Sequence, residues 1–288
     1  MTLTDLQAAD AAGWTLARFR TAAAESGSPL ALGEIEALRM SAWRQTWIPA
    51  PLRWSYTFVG GKERRIAHAG HADRLLMAVW RGFADAALDR VLADPVHGFR
   101  KGRGPASAVR ALTSVACPAT MSLVRADVQE MFPSLHHGWM LGAIETVWGR
   151  SDALCPELSL RLAGLARRWL TCWGGVGVPV GVSIAPLLAN AYLAVGVDVW
   201  LTDALASGLI HAGIRYADDF ALLTDDPERV LADLRGACAA CGLVLRPSKT
   251  KIIAVSTLTI SAESVLGHEV MWANGRLHAS GRTKKGRF

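Results

Sequence analysis

Ile214-Arg215-Tyr216-Ala217-Asp218-Asp219-Phe220-Ala221-Leu222-Leu223 sets two adjacent acids between two apolar runs. The runs, over 211–216 and 220–224, read as strands, with the acids at the turn of a hairpin. Successive residues of a regular strand face opposite sides, so Asp218 and Asp219 can serve one ligand only from a tight turn. A third acid is out of place in the same way. Asp127 lies near the end of the apolar run Met121-Ser122-Leu123-Val124-Arg125-Ala126-Asp127-Val128. Burying adjacent carboxylates without a cation is costly, and a bound divalent cation removes that cost. Oxygen donors favour Mg²⁺, which keeps waters and shares phosphate oxygens with a substrate; Mn²⁺ could replace it. Taken alone, the three acids allow two accounts. They are a solvated turn plus an unrelated aspartate, or a site for two ions about 3.5–4 Å apart, suited to phosphoryl transfer.

The rest of the chain is that of a globular protein, with 288 residues, 51% apolar and 19% charged. A net charge of +6 and a pI near 9.3 suit a polyanionic partner. No apolar run is long enough to span a bilayer, and Met1-Thr2-Leu3-Thr4-Asp5 does not begin like a signal peptide. A cytoplasmic protein with no membrane partner is expected. The five cysteines are then expected reduced, with Cys238 and Cys241 packed in a core rather than on zinc, since no second ligand pair accompanies them.

Around the opening stretch the pattern mixes helices and strands without regular βαβ alternation, which predicts an α+β fold. Residues 1–48 read as helical, 55–67 as a hairpin turning at Gly60-Gly61, and 72–92 as a helix. A basic glycine-rich loop over 96–104 precedes the strand at 121–128. Helices follow from Pro133 to about 148 and over 157–173. Then come a glycine-rich loop over 174–182 and one long helix over 187–205. Beyond the hairpin, the pattern predicts a helix over 227–241, a strand over 251–255 and short strands around Leu266 and Leu277. A loose basic tail follows from 281.

Six blocks in order resemble the reverse transcriptases of bacterial retroelements, such as group II introns and diversity-generating retroelements. The hairpin resembles their catalytic hairpin. Asp127-Val128-Gln129-Glu130-Met131-Phe132-Pro133-Ser134 resembles the block supplying the first metal aspartate. His97-Gly98-Phe99-Arg100-Lys101-Gly102-Arg103 resembles a loop of group II intron enzymes. Gly177-Val178-Pro179-Val180-Gly181, with Pro186 to Leu193, resembles the template-and-nucleotide block. Pro247-Ser248-Lys249-Thr250-Lys251 resembles the later lysine block, and Val265-Leu266-Gly267-His268 the primer grip. The likeness covers about residues 55–272.

The resemblance implies a right-hand polymerase fold: an antiparallel palm sheet with packed helices and a fingers subdomain; the thumb that family members carry is expected to be absent. It implies a helical region over 1–54, fingers over 55–120 and 150–178, palm over 121–149 and 179–274, and a basic tail over 275–288. It implies RNA-directed DNA synthesis from deoxynucleoside triphosphates, on an RNA template and a DNA or RNA primer, with two Mg²⁺ ions. Asp127, Asp218 and Asp219 would hold the ions, with the Val128 carbonyl as a further ligand. Lys62, Arg64, Arg65 and Lys249 would meet the triphosphate, and Phe132 would exclude a ribose 2′-hydroxyl. Val180 and Gly181 would lie against the incoming nucleotide. Arg100, Lys101 and Arg103 would hold the template backbone, and Leu266 and Gly267 the primer.

Two departures qualify the likeness. Many relatives carry Gln where this chain has Val180, which implies looser nucleotide positioning. The chain also ends about twenty residues past Leu266-Gly267, so a partner protein or structured RNA is expected to complete the grip on duplex. A retroelement or a domesticated antiviral defence system is the implied setting. The rivals are a template-independent nucleotidyl transferase on the same palm and a non-catalytic nucleic-acid-binding subunit.

Overall fold

The computed structural model describes residues 2–59 and 61–282. In chain order its elements are α1 (Leu3–Ala11), α2 (Leu16–Glu25), α3 (Leu32–Trp43), β1 (Arg53–Val59), β2 (Lys62–His68), α4 (His71–Val91) and α5 (Pro105–Thr113). Next come β3 (Ser122–Asp127), α6 (Met131–Ser134), α7 (His137–Arg150), α8 (Pro156–Trp173), α9 (Ala185–Ala194) and α10 (Val197–Ala206). The last are β4 (Ala212–Tyr216), β5 (Asp219–Thr224), α11 (Pro227–Ala240), β6 (Lys251–Ala254), β7 (Glu263–Val265), β8 (His268–Ala273) and β9 (Arg276–Arg282). They form two units. One takes the chain up to Val91 and again Phe132–Tyr192; the other takes Leu92–Met131 and the chain from Leu193 on.

The first unit is mainly helical. Thr2 and Thr15 cap α1 and α2, each side chain accepting a backbone N–H of the first turn. Tryptophan fills its core. The indole N–H groups of Trp14, Trp80 and Trp169 donate to Arg39 O (3.0 Å), Leu162 O (2.9 Å) and Asp73 Oδ1 (3.1 Å). A buried donor left without an acceptor would cost about 1–3 kcal/mol, so each ring has a fixed seat. Asp73 also accepts the Ala50 N–H (3.1 Å), and burial pushes its carboxyl up from the usual range. β1 and β2 pair as a two-stranded ribbon, from Arg53 opposite His68 to Val59 opposite Lys62. The glycine-rich loop is sewn to its base, where the Ala67 N–H donates to Val180 O (2.7 Å). Gly181 has φ +111° there, and a Cβ would sit 2.5 Å from Ala67 O, so only glycine fits.

The second unit is built on the antiparallel sheet β4-β5-β3-β6. Ala212, Ile214, Ala221, Leu223 and Leu123 belong to a core completed by Ala108, Val109 and Leu112 of α5 and by Val265, Val270 and Leu277. The intervening residues Val124, Ala126, Phe220 and Leu222 are equally buried, and α10 and α11 pack on the sheet. Cover on both faces explains why Phe220 to Leu223 is an unbroken apolar run and does not alternate. Cys238 and Cys241 are buried and unbridged, as expected of core residues, and burial pushes the Cys238 thiol up to about 12.

Several expectations are corrected. The long helix over 187–205 is two helices, α9 and α10, because Gly196 (φ −137°, ψ −89°) leaves the helical region. The helix from Pro133 is the short α6 followed by α7, separated where His136 is extended. The strand expected around Leu266 is present as the pair β7 and β8, and the turn between them holds Leu266. Leu266 and Gly267 have φ of 51° and 78°, the conformation of a tight primed turn. The strand expected around Leu277 is β9, and it runs on through 281 and 282, which read as the start of the tail. Gly60 of the predicted Gly60-Gly61 turn and residues 283–288 of the tail lie outside the described residues. Among the described residues no single helix is long and apolar enough to cross a membrane.

Candidate active site

Asp127 is the last residue of β3 and Asp219 the first of β5, and the two are direct partners across the antiparallel ladder. Tyr216 pairs with Asp219, so Ala217 and Asp218 form a two-residue turn. Ala217 takes φ +57°, the left-handed value that a primed hairpin turn asks of its first central residue. One carboxylate oxygen from each of Asp127, Asp218 and Asp219 can be chosen so that all lie within 4.8 Å of one another. The backbone closes the same corner. Val128 N–H donates to Asp218 O (3.0 Å), and Arg246 N–H donates to Asp127 O (2.7 Å).

Three acids this close, one buried and two half-buried, repel one another. Burial pushes the carboxyl of Asp218 up, and the charge of Asp127 adds to it. Burial likewise raises Asp219; Arg125 opposes this, and the charges of Asp218 and Asp127 reinforce it. Asp127 itself is compensated directly. Arg246 Nε donates to its Oδ1 at 2.9 Å, and Lys249 Nζ to its Oδ2 at 2.5 Å. Arg125 lies 3.8 Å from Asp219 and donates to the Ser264 carbonyl (2.5 Å). The donor set is all oxygen and short of positive charge at the hairpin, which fits a hard divalent cation.

The hairpin is braced from behind by the segment before α5. His97 N–H donates to Arg215 O (2.9 Å), and Arg215 N–H donates to Pro95 O (2.8 Å). A Cβ on Gly98 would fall 2.2 Å from the Ala217 nitrogen, so the turn is reached only by a residue without a side chain. The Arg215 side chain, fully buried, grips Asp198 of α10 through Nε (2.5 Å) and Nη2 (2.6 Å). Its Nη1 donates to the Ala217 carbonyl (3.1 Å). The sequence names Arg215 only as part of the hairpin and does not point to Asp198, Arg125 or Arg246. A charged residue amid apolar neighbours is the signal that marks Arg215 and Arg125.

The remaining site residues divide between the units. Asp127, Val128, Arg100, Lys101, Arg103, Lys249, Leu266 and Gly267 belong with the carboxylates; Lys62, Arg64, Arg65, Phe132, Val180 and Gly181 belong to the helical unit. Arg100 donates to the carbonyls of Leu92, Ala93 and Val96, and Arg103 pairs with Asp94 (2.9 Å). These two arginines, expected on a template, hold their own loop, while Lys101 is exposed. Lys249 is on Asp127. Leu266 packs against the core. Arg64 and Arg65 are neighbours on one strand and leave opposite faces of the ribbon. The side chain of Lys62 lies outside the described residues.

The antiparallel sheet carries one carboxylate at a strand end and two in the adjoining hairpin, and the chain has a polymerase-like fold. Solved telomerase structures share it. The telomerase of Candida tropicalis truncated from its C-terminal domain superposes with a TM-score of 0.60 at 11% identity, over 80% of this chain and 56% of that one. Apo telomerase from the same organism gives 0.61 at 11% identity, over 78% and 47%. Telomerase from Candida albicans, in complex with a TWJ fragment of telomeric RNA, gives 0.60 at 11% identity, over 82% and 47%. The chain thus spans about half the length of these telomerases. No family model matches it, and no curated protein matches it in sequence.

Proposed function

We propose that this chain is an RNA-directed DNA polymerase that extends a primer 3′-hydroxyl with deoxynucleotides. The observation that carries the reading is the cluster of Asp127, Asp218 and Asp219, brought within 4.8 Å on the palm sheet of a reverse transcriptase-like fold. Two Mg²⁺ ions held there would supply activation of the hydroxyl and stabilisation of the leaving pyrophosphate. Asp127 is the fixed corner, since both its oxygens and its carbonyl are already bonded. Asp218 and Asp219 are presented by a turn that Gly98 and Arg215 hold rigid, and positioning of this kind is most of what phosphoryl transfer needs from a protein.

The finer roles rest on the resemblance. Lys249 would turn to the leaving phosphates, and Arg64 and Lys62 would meet the triphosphate. Phe132 would exclude the 2′-hydroxyl, and Val180 with Gly181 would bound the nucleotide. Lys101 would touch the template backbone, and Leu266-Gly267 the primer. The same resemblance places the enzyme in a bacterial retroelement or a defence system derived from one.

The test is extension of a DNA primer annealed to RNA, by the wild type and by Asp218→Ala and Asp219→Ala. Incorporation should need template and Mg²⁺ and should be lost in both variants. Equal incorporation by all three proteins would end the polymerase reading. Incorporation without template would favour a terminal transferase on the same palm.

A further inference from the structure

The strand that ends on Asp127 carries a second charged residue, Arg125. The two are alternate residues of β3, so their side chains leave the same face of the sheet. The register sets Ala221 of β5 and Lys251 of β6 directly beside Arg125, and Asp219 diagonally, where a long side chain reaches a neighbouring strand. Arg125 uses that reach. Its Nη2 lies 3.8 Å from Asp219 Oδ1, and among the described residues this is the one ion pair that Asp219 makes. Strand β7 holds the other end of the guanidinium, where Nη1 donates to the Ser264 carbonyl (2.5 Å) and to Glu263 Oε1 (3.4 Å). Arg125 and Lys251, two cations side by side, would repel one another, but Glu263 also accepts from Lys251 Nζ (2.8 Å) and so serves both.

The guanidinium is not saturated. Its Nε is buried and has no hydrogen-bond partner among the described residues. A buried donor left unpaired is costly and calls for an explanation. Nε and Nη2 form one edge of a planar fork that matches a carboxylate side-on. That edge meets Asp219 by charge alone, since 3.8 Å is beyond hydrogen-bond distance. Asp219 needs a partner in turn. The last torsion of an aspartate is broad, so the plane of its carboxylate has to be set by what it touches.

We propose that Arg125 is a positioning residue for the polymerase reaction. It fixes the carboxylate of Asp219 in the orientation that serves the three-acid cluster, and it is itself fixed by β7. The proposal rests on the polymerase reading for the reaction, while the state of Asp219 can be measured without catalysis. A lysine would keep the charge, but its single nitrogen cannot hold Ser264 and face Asp219 at once. Charge and positioning are therefore separable.

The experiment compares Arg125→Lys and Glu263→Gln with the wild type. Steady-state primer extension gives kcat and the KM for nucleotide. Titration with Mn²⁺, followed by the electron paramagnetic resonance of the free ion, gives the affinity of the cluster without nucleotide or turnover. Asp219→Asn identifies which bound ions belong to the cluster. Arg125→Lys should lose about tenfold or more in kcat, with the KM for nucleotide within about threefold, as a small misplacement of a catalytic group does. It should also hold Mn²⁺ about tenfold more weakly at unchanged charge, the usual result of removing a partner that orients a metal ligand. Glu263→Gln keeps Arg125 but loosens its seat, and should move both readouts the same way by smaller factors. A merely structural Arg125 would lower the melting temperature and leave kcat and Mn²⁺ affinity of the folded protein unchanged.

Wild-type kcat and Mn²⁺ affinity in Arg125→Lys overturn the proposal. Should that variant fail to fold, the same result in Glu263→Gln overturns it. The two readings fail separately. A wild type that extends primers no better than Arg125→Lys keeps the polymerase and loses the positioning. A wild type that never extends, yet holds Mn²⁺ through Asp219 more tightly than Arg125→Lys does, keeps the orienting contact and loses the polymerase.

Discussion

Replacing Asp198 by alanine should unfold this protein far more readily than its distance from the carboxylates suggests. Asp198 is 3% exposed and meets the fully buried Arg215 through two hydrogen bonds of 2.5 and 2.6 Å. Removing the carboxylate leaves an arginine that can neither reach water nor lose its proton. Breaking a buried pair in this way costs about 3–5 kcal/mol. At roughly 2–4 °C per kcal/mol for a chain of this size, the melting temperature should fall by about 6–20 °C. Arg215→Met should cost a similar amount, because it strands Asp198. The double variant Asp198→Leu with Arg215→Met removes both charges and should recover most of the loss. The assay is chemical denaturation of the wild type, Asp198→Leu, Arg215→Met and the double variant, arranged as a double-mutant cycle. Primer extension then separates stability from function. The double variant should fold yet extend poorly, because the Ala217 carbonyl has lost the Nη1 hydrogen bond that fixes the turn. Additive losses in the cycle, or single variants costing under about 1 kcal/mol, would refute the reasoning.

The same brace makes Gly98→Ala destabilising by about 1–3 kcal/mol, since its Cβ would lie 2.2 Å from the Ala217 nitrogen. Gly142→Ala, on the exposed side of α7 with nothing within 4 Å, should instead stabilise by about 0.5–1 kcal/mol, and thermal melts of the pair test the contrast. His97 is buried beside Arg103 and Arg100, and burial first, then their charge, brings its pKa from 6.5 down to about 4. The unfolded chain therefore takes up this proton before the folded one does. Stability should fall as the pH drops through 6.5 towards 4, by up to about 2 kcal/mol between pH 7 and 5, and His97→Gln should remove that slope from denaturation curves. Lys249→Met frees one oxygen of Asp127. In extension assays the half-saturating Mg²⁺ should fall and the KM for nucleotide should rise, each by no more than about fivefold, because Lys249 is half exposed.

Most of the fold was legible because its elements are bounded by strong signals. The apolar runs around Asp127 and Asp218-Asp219 became β3, β4 and β5, and the ordered blocks fell on a polymerase-like fold. The carboxylate cluster was legible because acids inside buried strands have few other reasons to be there. Distance along the chain hid the rest. Asp198 reads as an ordinary helix residue until α10 brings it to Arg215, and Arg246 reads as loop until its own backbone and side chain bond to Asp127. The 96–104 loop shows another limit: a basic glycine-rich loop suggests phosphate, and its pattern does not tell that Arg100 and Arg103 also bond to nearby carbonyls and Asp94. Spacing alone also could not tell that the 187–205 stretch breaks at Gly196, since its apolar pattern runs through the break.

The distribution of charge around the three acids says where a cation is wanted. Arg125, Arg246 and Lys249 match the carboxylates in number but not in place. Asp127 has two cationic partners in direct contact, whereas Asp219 has one at 3.8 Å. Among the described residues no cation pairs directly with Asp218. The two acids whose carboxyls are pushed up are the two on the hairpin, so the deficit of positive charge lies there. Lys249 is also the partner freest to move, with its side chain 53% exposed against 2% for Asp127. It can turn from Asp127 to a phosphate oxygen only when another cation takes its place. Nucleotide and divalent ion should therefore bind cooperatively, each raising the affinity for the other by the same factor. In the absence of Mg²⁺ the wild type should bind nucleotide poorly, and Asp127→Asn, which releases Lys249 without needing an ion, should lose much of that coupling while its metal-free nucleotide affinity rises.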